Sequence, residues 1–154
     1  MVRKSIILIS ALLFATNVTA QDVVIAERAP KINLEQCQIP DGKLLYMSFI
    51  HSTSASCIGT TLKMMDIAKQ IANLNFVILT REKLVDADEW LQHIALQSNN
   101  VIFEAYDTFK LFGIEYAPFG LLLNSEHRVL WFGNPQRLDK SNLENIISQW
   151  SSQK

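Results

Sequence analysis

One short stretch of the sequence holds the residues best suited to chemistry. Residues 49–60 read FIHSTSASCIGT, in which an apolar run gives way to small polar residues, one cysteine and the start of a helical pattern. A thiol near the start of a helix is favoured as the nucleophilic thiolate, because the amino end of a helix carries partial positive charge. Cys57 is therefore a candidate thiol site, although the second thiol that such a site usually needs is absent from the stretch.

The other cysteine, Cys37, offers three possible relations to Cys57. A Cys37–Cys57 disulfide would close a loop of about 20 residues and stabilise the fold by roughly 3 kcal/mol in the chain-entropy model. Cys37 could also resolve a mixed disulfide formed at Cys57. It could equally be a buried free cysteine without a chemical role. A bond requires the two Cα atoms to lie within about 7 Å, which the sequence does not fix.

The histidines add one further candidate. His51 follows the apolar run and could stabilise a thiolate or act as a base, or it could be an exposed loop residue. His93 and His127 share no ligand spacing with each other or with the cysteines, so we predict no metal site. The sequence also lacks a phosphate-binding glycine loop and paired catalytic carboxylates, and we expect no cofactor.

The first 20 residues have the three parts of a secretory signal peptide. Arg3 and Lys4 are followed by a mostly apolar run, Ile6–Ala15, and then by small residues up to Ala20. The run of about 10 residues is shorter than the roughly 20 that a membrane span needs. We expect cleavage near Gln21 and a periplasmic or secreted protein that does not contact the membrane afterwards, with an uncleaved anchor as the alternative.

Composition narrows the classes further. The 154-residue chain has a net charge of −1 and no run of Lys or Arg, which argues against a nucleic-acid partner. Its hydrophobic residues make up 49% of the chain, so disorder is not expected. The predicted organisation is a signal peptide over 1–20, a lead-in over 21–43 and one domain over 44–151.

Hydrophobic periodicity predicts alternating strands and helices. Apolar runs predict strands over residues 43–50, 75–80, 100–104, 119–124 and 128–133, with a further short strand in the lead-in over 31–34. Three- and four-residue repeats predict helices that start at residue 57 and span 86–97, 106–112 and 138–150. On the first helix, the predicted inward face is Ile58, Thr61, Leu62, Met65, Ala68 and Ile71. The first half demands parallel crossovers and the second a hairpin, which makes an α/β fold with a mixed central sheet and helices on both faces.

This order of elements, with three motifs, resembles the thioredoxin-like superfamily, and within it the exported TlpA and redoxin (AhpC-TSA-like) type. The motifs are ERAPKINL (27–34), YMSFIHSTSASC (46–57) and FGIEYAPFGLLLNSEHRVLWFG (112–133). The resemblance implies a thioredoxin-like three-layer sandwich and a relation to thiol–disulfide oxidoreductases. It also implies that the peptide bond between Ala117 and Pro118 is cis, and that backbone groups there bind an extended partner peptide or protein.

The family motif is Cys-x-x-Cys, with an exposed attacking thiol and a resolving thiol one turn inside the helix. In the family, a strand Phe precedes the attacking cysteine by five residues, and the resolving cysteine precedes a small core-facing residue by about eleven. Here Phe49 lies five residues before Ser54, and Cys57 lies eleven residues before Ala68. Both spacings put Ser54 in the attacking position and Cys57 in the resolving position. A serine hydroxyl cannot form a disulfide, although it can cap the helix. The alternative is that CIGT (57–60) is the centre, with Cys57 as nucleophile after a longer loop.

Two functions from different classes follow from the resemblance and its departures. The first is an exported protein related to thiol–disulfide oxidoreductases, with a degenerate site that keeps the single cysteine Cys57. This cysteine would exchange disulfides or react with an oxidant, and Cys37 or an external thiol would resolve it. The second is a redox-inactive thioredoxin-fold module that binds a partner protein or peptide at the Pro118 face. Fold alone does not choose between them.

Overall fold

The computed structural model describes residues 23–37, 39–40 and 43–152. The predicted signal peptide over 1–20 and its cleavage position lie outside the described residues, as does the start of the lead-in. Among the described residues, no helix is both long enough and apolar enough to cross a membrane.

A five-stranded mixed sheet forms the middle layer, as the sequence predicted. Its strand order is β3-β2-β1-β4-β5, with β1–β2 and β2–β3 parallel and β1–β4 and β4–β5 antiparallel. The strands are β1 Leu44–Ile50, β2 Leu74–Thr80, β3 Val101–Ile102, β4 Phe119–Leu123 and β5 Val129–Gly133. The α-helices are α1 Ala55–Lys69, α2 Glu89–Gln97, α3 Tyr106–Leu111 and α4 Lys140–Ser151. Two 3-10 turns, Leu84–Asp86 and Pro135–Arg137, precede α2 and α4.

The two faces of the sheet carry separate layers, because successive strand residues point to opposite sides. On one face Met47 and Phe49 pack with α3 and with the lead-in. On the other face Tyr46 packs with α1 and α4, and Ile50 packs with α1 and α2. This is the predicted three-layer arrangement, with helices on both faces of the sheet.

Three local predictions are wrong. Residues 31–34 form no strand; among the described residues of the lead-in, the only β-bridge joins Arg28 to Arg128. The first helix begins at Ala55, two residues before Cys57. The second begins at Glu89 rather than at residue 86, because the Asp88 side chain accepts a hydrogen bond from the Trp90 backbone N–H and caps the helix there.

The inward face of α1 also differs from the predicted one. Leu62 was expected inside but its exposed fraction is 47%. The sequence carries apolar residues on more than one side of this helix, so two helical phases satisfy the periodicity equally well. Packing on the sheet selects the phase with these buried residues: Cys57, Thr60, Thr61, Met64, Ile67 and Ala68.

Candidate functional site

The turn between β1 and α1 presents the residues singled out in the sequence. The Ser54 N–H donates to the His51 carbonyl over 3.1 Å, which reverses the chain after β1. Ser54 is the N-cap of α1, and its carbonyl accepts the Ile58 N–H over 3.0 Å. The predicted side-chain cap does not form, because Ser54 Oγ instead lies 3.0 Å from Ser56 Oγ. The first turn of α1 therefore starts with a partly exposed hydroxyl and uncapped backbone amides.

Cys57 lies inside the first turn of α1 and is completely buried. It packs with Ile50, Ile78, Ala87 and Leu91, from β1, β2 and the start of α2. The alternative in which Cys57 opens the helix after a longer loop is wrong, because α1 begins at Ala55. The assignment of Ser54 to the family's attacking position and Cys57 to its resolving position stays a prediction.

Cys37 is buried and free, and it is not bonded to Cys57. It belongs to the cluster that contains Met47 and Phe49, whereas Cys57 packs beside Ile50. The two thiols therefore lie on opposite faces of the sheet, and the proposed Cys37–Cys57 bond or redox pair is wrong. Burial raises the pKa of the Cys37 thiol, which keeps it in the unreactive protonated form.

His51 is exposed, and its ring contacts neighbours other than a thiol. Its Nδ1 atom lies 3.0 Å from Thr53 Oγ1 and 3.5 Å from Glu82 Oε1. A hydroxyl–imidazole–carboxylate relay uses both ring nitrogens, but here one nitrogen meets both groups. Over residues 23–37, 39–40 and 43–152, no group of three or more His, Cys, Asp or Glu residues is arranged to hold a metal ion.

The best-connected polar group beside this turn is Glu82, which the sequence analysis missed. One carboxylate oxygen accepts the Ser52 hydroxyl over 2.7 Å, and the other accepts the Ser52 N–H over 2.8 Å and the Thr80 hydroxyl over 2.6 Å. Burial acts to raise the Glu82 pKa, but the hydrogen bonds from Thr80 and Ser52 and the nearby His51 outweigh it and hold the pKa below its ordinary value. Glu82 is therefore a fully paired carboxylate at the ends of β1 and β2.

Ser52 extends this network to α2 and is itself completely buried. Its hydroxyl accepts the Asp88 N–H over 2.8 Å, and its carbonyl accepts the Trp90 indole N–H over 2.8 Å. We call Ser52, Thr80, Glu82, Asp88 and Trp90 the Ser52–Glu82 hub. It joins the β1–α1 turn, the end of β2 and the start of α2. The only signal in the sequence was that Ser52 and Glu82 each follow a strand, and polar side chains just after a strand are usually exposed to solvent.

The second part of the site is the segment before β4. The Ala117–Pro118 peptide bond is cis, as the resemblance implied. Ala117 packs against the cluster that holds Cys57, so this segment lies beside the first turn of α1. Tyr116 and Phe132, with exposed fractions of 55% and 37%, flank Phe119 at ring-centroid distances of 5.5 and 6.3 Å. Two exposed aromatic side chains therefore lie on either side of Phe119, next to the buried Pro118.

Solved structures share this architecture. The C-terminal domain of a Bacteroides thetaiotaomicron protein designated a thiol-disulfide oxidoreductase matches with a TM-score of 0.64 at 17% identity, covering 82% of this chain and 97% of that one. A Chlorobium tepidum protein designated thiol:disulfide interchange protein DsbE matches with a TM-score of 0.62 at 17% identity and the same coverages. The exposed lipoprotein thioredoxin Etrx1 of Streptococcus pneumoniae matches with a TM-score of 0.53 at 14% identity, covering 71% and 86%.

These likenesses establish the fold class. The chain has a thioredoxin-like fold, which confirms the fold class predicted from its sequence. No protein-family model and no curated protein sequence matches it.

Proposed function

We propose that this protein is an exported thioredoxin-fold module that binds an extended segment of a partner protein or peptide beside Ala117 and Pro118, without dithiol exchange of its own. The observation that carries the proposal is the complete burial of Cys57 behind a partly exposed Ser54. Thiol–disulfide exchange needs a thiolate that can reach a partner's sulfur in line. Here the accessible position holds a hydroxyl, and Cys37 lies across the sheet.

The binding half of the proposal is supported by the surface around Pro118. An extended peptide binds well where backbone groups are presented beside pockets or ledges for its side chains. Tyr116 and Phe132 offer such a ledge, and exposed aromatic residues are enriched at protein interfaces. We infer a partner segment with apolar side chains. Export is supported by the signal-peptide pattern of residues 1–20 and by likeness to Etrx1 of Streptococcus pneumoniae, which is named an exposed lipoprotein.

Single-cysteine thiol exchange at Cys57 is the second candidate, favoured by likeness to the Bacteroides and Chlorobium proteins designated a thiol-disulfide oxidoreductase and a thiol:disulfide interchange protein. An insulin reduction assay with dithiothreitol separates the two. We expect the mature protein to leave the rate of insulin precipitation unchanged. An acceleration that disappears in Cys57→Ala would overturn the redox-silent half of the proposal and support the second candidate.

A site-specific cross-linking experiment tests the binding half. A photoreactive amino acid at Tyr116, introduced in the cells that produce the protein, should give a discrete cross-linked product whose yield falls when Phe132 is changed to Glu. Gln149 on α4 is the control position, because neighbouring Trp150 lines a cavity with Lys43 at the opposite end of β1. Equal products from positions 116 and 149, or none from 116, would count against a partner at this face.

A further inference from the structure

We propose that Glu82 is the positioning residue of this site: through the Ser52–Glu82 hub it holds the β1–α1 turn and the start of α2 closed over the Cys57 thiol. The inference rests on the proposed function only for the view that residues 51–57 belong to the partner surface. It explains how the one remaining thiol of the site is kept from reacting in an oxidising compartment. Its test needs no partner.

Residues that follow β1 and end β2 meet at the Glu82 carboxylate. Glu82 accepts three hydrogen bonds, two of them from Ser52, and its side chain is only 11% exposed. Hydrogen bonds to an ionised, shielded acceptor are roughly twice as strong as those between neutral groups. Ser52 is the first residue inside the turn that leads into α1. The carboxylate therefore fixes where that turn leaves the sheet.

Ser52 connects the Ser52–Glu82 hub to the residues at the start of α2 that bury Cys57. Ser52 also accepts hydrogen bonds from the Asp88 N–H and the Trp90 indole N–H, and both residues lie between Ala87 and Leu91 in the chain. Ala87 and Leu91 pack in the cluster that buries Cys57. Removing the Glu82 carboxylate leaves the buried Ser52 hydroxyl and N–H without their acceptor, at a cost that favours opening of the turn. Opening there loosens both the first turn of α1 and the start of α2 that cover the sulfur.

Cys37 is an internal control that distinguishes local opening of the hub from global unfolding. Cys37 is buried on the other face of the sheet, in the cluster with Met47 and Phe49. Global unfolding exposes both thiols, whereas opening of the hub exposes Cys57 alone. Local openings and global unfolding have separate free energies, so the two cysteines can label at different rates in the native protein.

The experiment is labelling of the native mature protein with 4,4′-dithiodipyridine at neutral pH, with the labelled cysteine identified by mass spectrometry. The cysteine thiolate attacks the probe's disulfide, forms a mixed disulfide and releases 4-thiopyridone, while the thiol proton goes to solvent. In Glu82→Ala we expect Cys57 to label at least about tenfold faster than in the wild type, which corresponds to about 1.4 kcal/mol. Cys37, which global unfolding exposes, should label more slowly than Cys57 in the same variant, at the rate expected from the free energy of unfolding measured in urea.

Matched variants complete the design. Glu104 is an exposed glutamate whose backbone N–H donates to the Glu82 carbonyl. Glu104→Gln removes its charge but keeps this backbone bond, and it should leave both labelling rates unchanged. If Glu82→Ala does not fold, Ser52→Ala provides the test, because it removes the Oγ bonds to Glu82 and to the Asp88 N–H. An unchanged Cys57 rate, or a Cys57 rate no faster than that of Cys37 in the same variant, would overturn the proposal. Either result leaves the cross-linking test at Tyr116 unaffected, so the two proposals fail independently.

Discussion

The residue-scale prediction is that Ser54 occupies the position of the attacking cysteine in a Cys-x-x-Cys motif, where a hydroxyl oxygen cannot form a disulfide. Ser54 is the N-cap of α1 and Cys57 is three positions further on, so their side chains start about one helical turn apart. Ser54→Cys should therefore produce a reducible 54–57 disulfide under air oxidation. Mass spectrometry with and without reductant measures it, and the variant should also gain activity in the insulin assay.

The double variant Ser54→Cys, Cys57→Ala is the control for this prediction, since it keeps the new thiol but removes its partner. It should form no intramolecular bond. If the single variant also stays reduced, or if it bonds through Cys37, then the match of SASC to the family's Cys-x-x-Cys is wrong.

A second residue-level prediction concerns Tyr46, which stacks on Phe76 and Trp131 with centroid distances of 5.4 and 6.5 Å. Its buried hydroxyl has no hydrogen-bond partner among the described residues. A Cβ at Gly120 would collide with this hydroxyl and meet Trp131 at 2.9 Å. Gly120→Ala should therefore lower the free energy of unfolding by about 1–3 kcal/mol. Tyr46→Phe should be neutral or stabilising by up to about 1 kcal/mol, because it removes an unpaired buried group.

Urea unfolding of the two single variants and the double variant measures whether the residues are coupled. Tyr46→Phe should recover part of the loss in Gly120→Ala, since the hydroxyl is one of the two groups that the new methyl meets. Strictly additive effects would show that the collision with Trp131, or another cause, accounts for the loss.

At the scale of elements, the Ser52–Glu82 hub makes stability depend on pH. The folded-state pKa of Glu82 lies below its unfolded value, so its contribution is fully present above the unfolded pKa and is lost as pH falls through the folded pKa. The free energy of unfolding of wild type should therefore exceed that of Glu82→Gln most at neutral pH, and the difference should shrink on acidification. Urea titrations at a series of pH values test this.

His51 is the titratable side chain in contact with the Glu82 carboxylate, so its contribution must be separated. When His51→Asn is present in both proteins, the difference in free energy of unfolding between Glu82 and Glu82→Gln should remain, because Ser52 and Thr80 still donate to the carboxylate. A difference between the two proteins that does not change between neutral and acidic pH would contradict the assignment of the effect to an ionised Glu82.

The sequence predicted which elements exist better than it predicted how they meet. Strong apolar runs located β1, β2, β4 and β5, and the polar break at residues 125–127 marked the hairpin. The phase of α1 was wrong because Leu62 and Met64 lie on different sides of the helix, and only the sheet decides between them. The hub could not be predicted, since Ser52 and Glu82 are 30 residues apart and neither sits in a recognisable motif.

At the scale of the whole molecule, the sheet is the barrier that separates the two thiols. The order of strands and helices predicted a mixed sheet covered on both faces, but not which face the lead-in would cover. Cys37 belongs to that lead-in, as do Ile32, Leu34 and Ile39, and it packs on the face of the sheet away from α1. Loop length alone would favour a Cys37–Cys57 disulfide. It is excluded because the two cysteines pack against opposite sides of β1.

This separation predicts the outcome of oxidative refolding. In the unfolded chain Cys37 and Cys57 can meet, because closing a loop of about 20 residues costs little more than closing a shorter one. A 37–57 disulfide formed in denaturant should then block refolding on dilution, since the native sheet passes between the two positions. Near-ultraviolet circular dichroism should show no native signal until a reductant is added. The Cys37→Ala variant should refold with or without reductant, and a wild-type chain that refolds with the bond intact would refute the opposite-face placement.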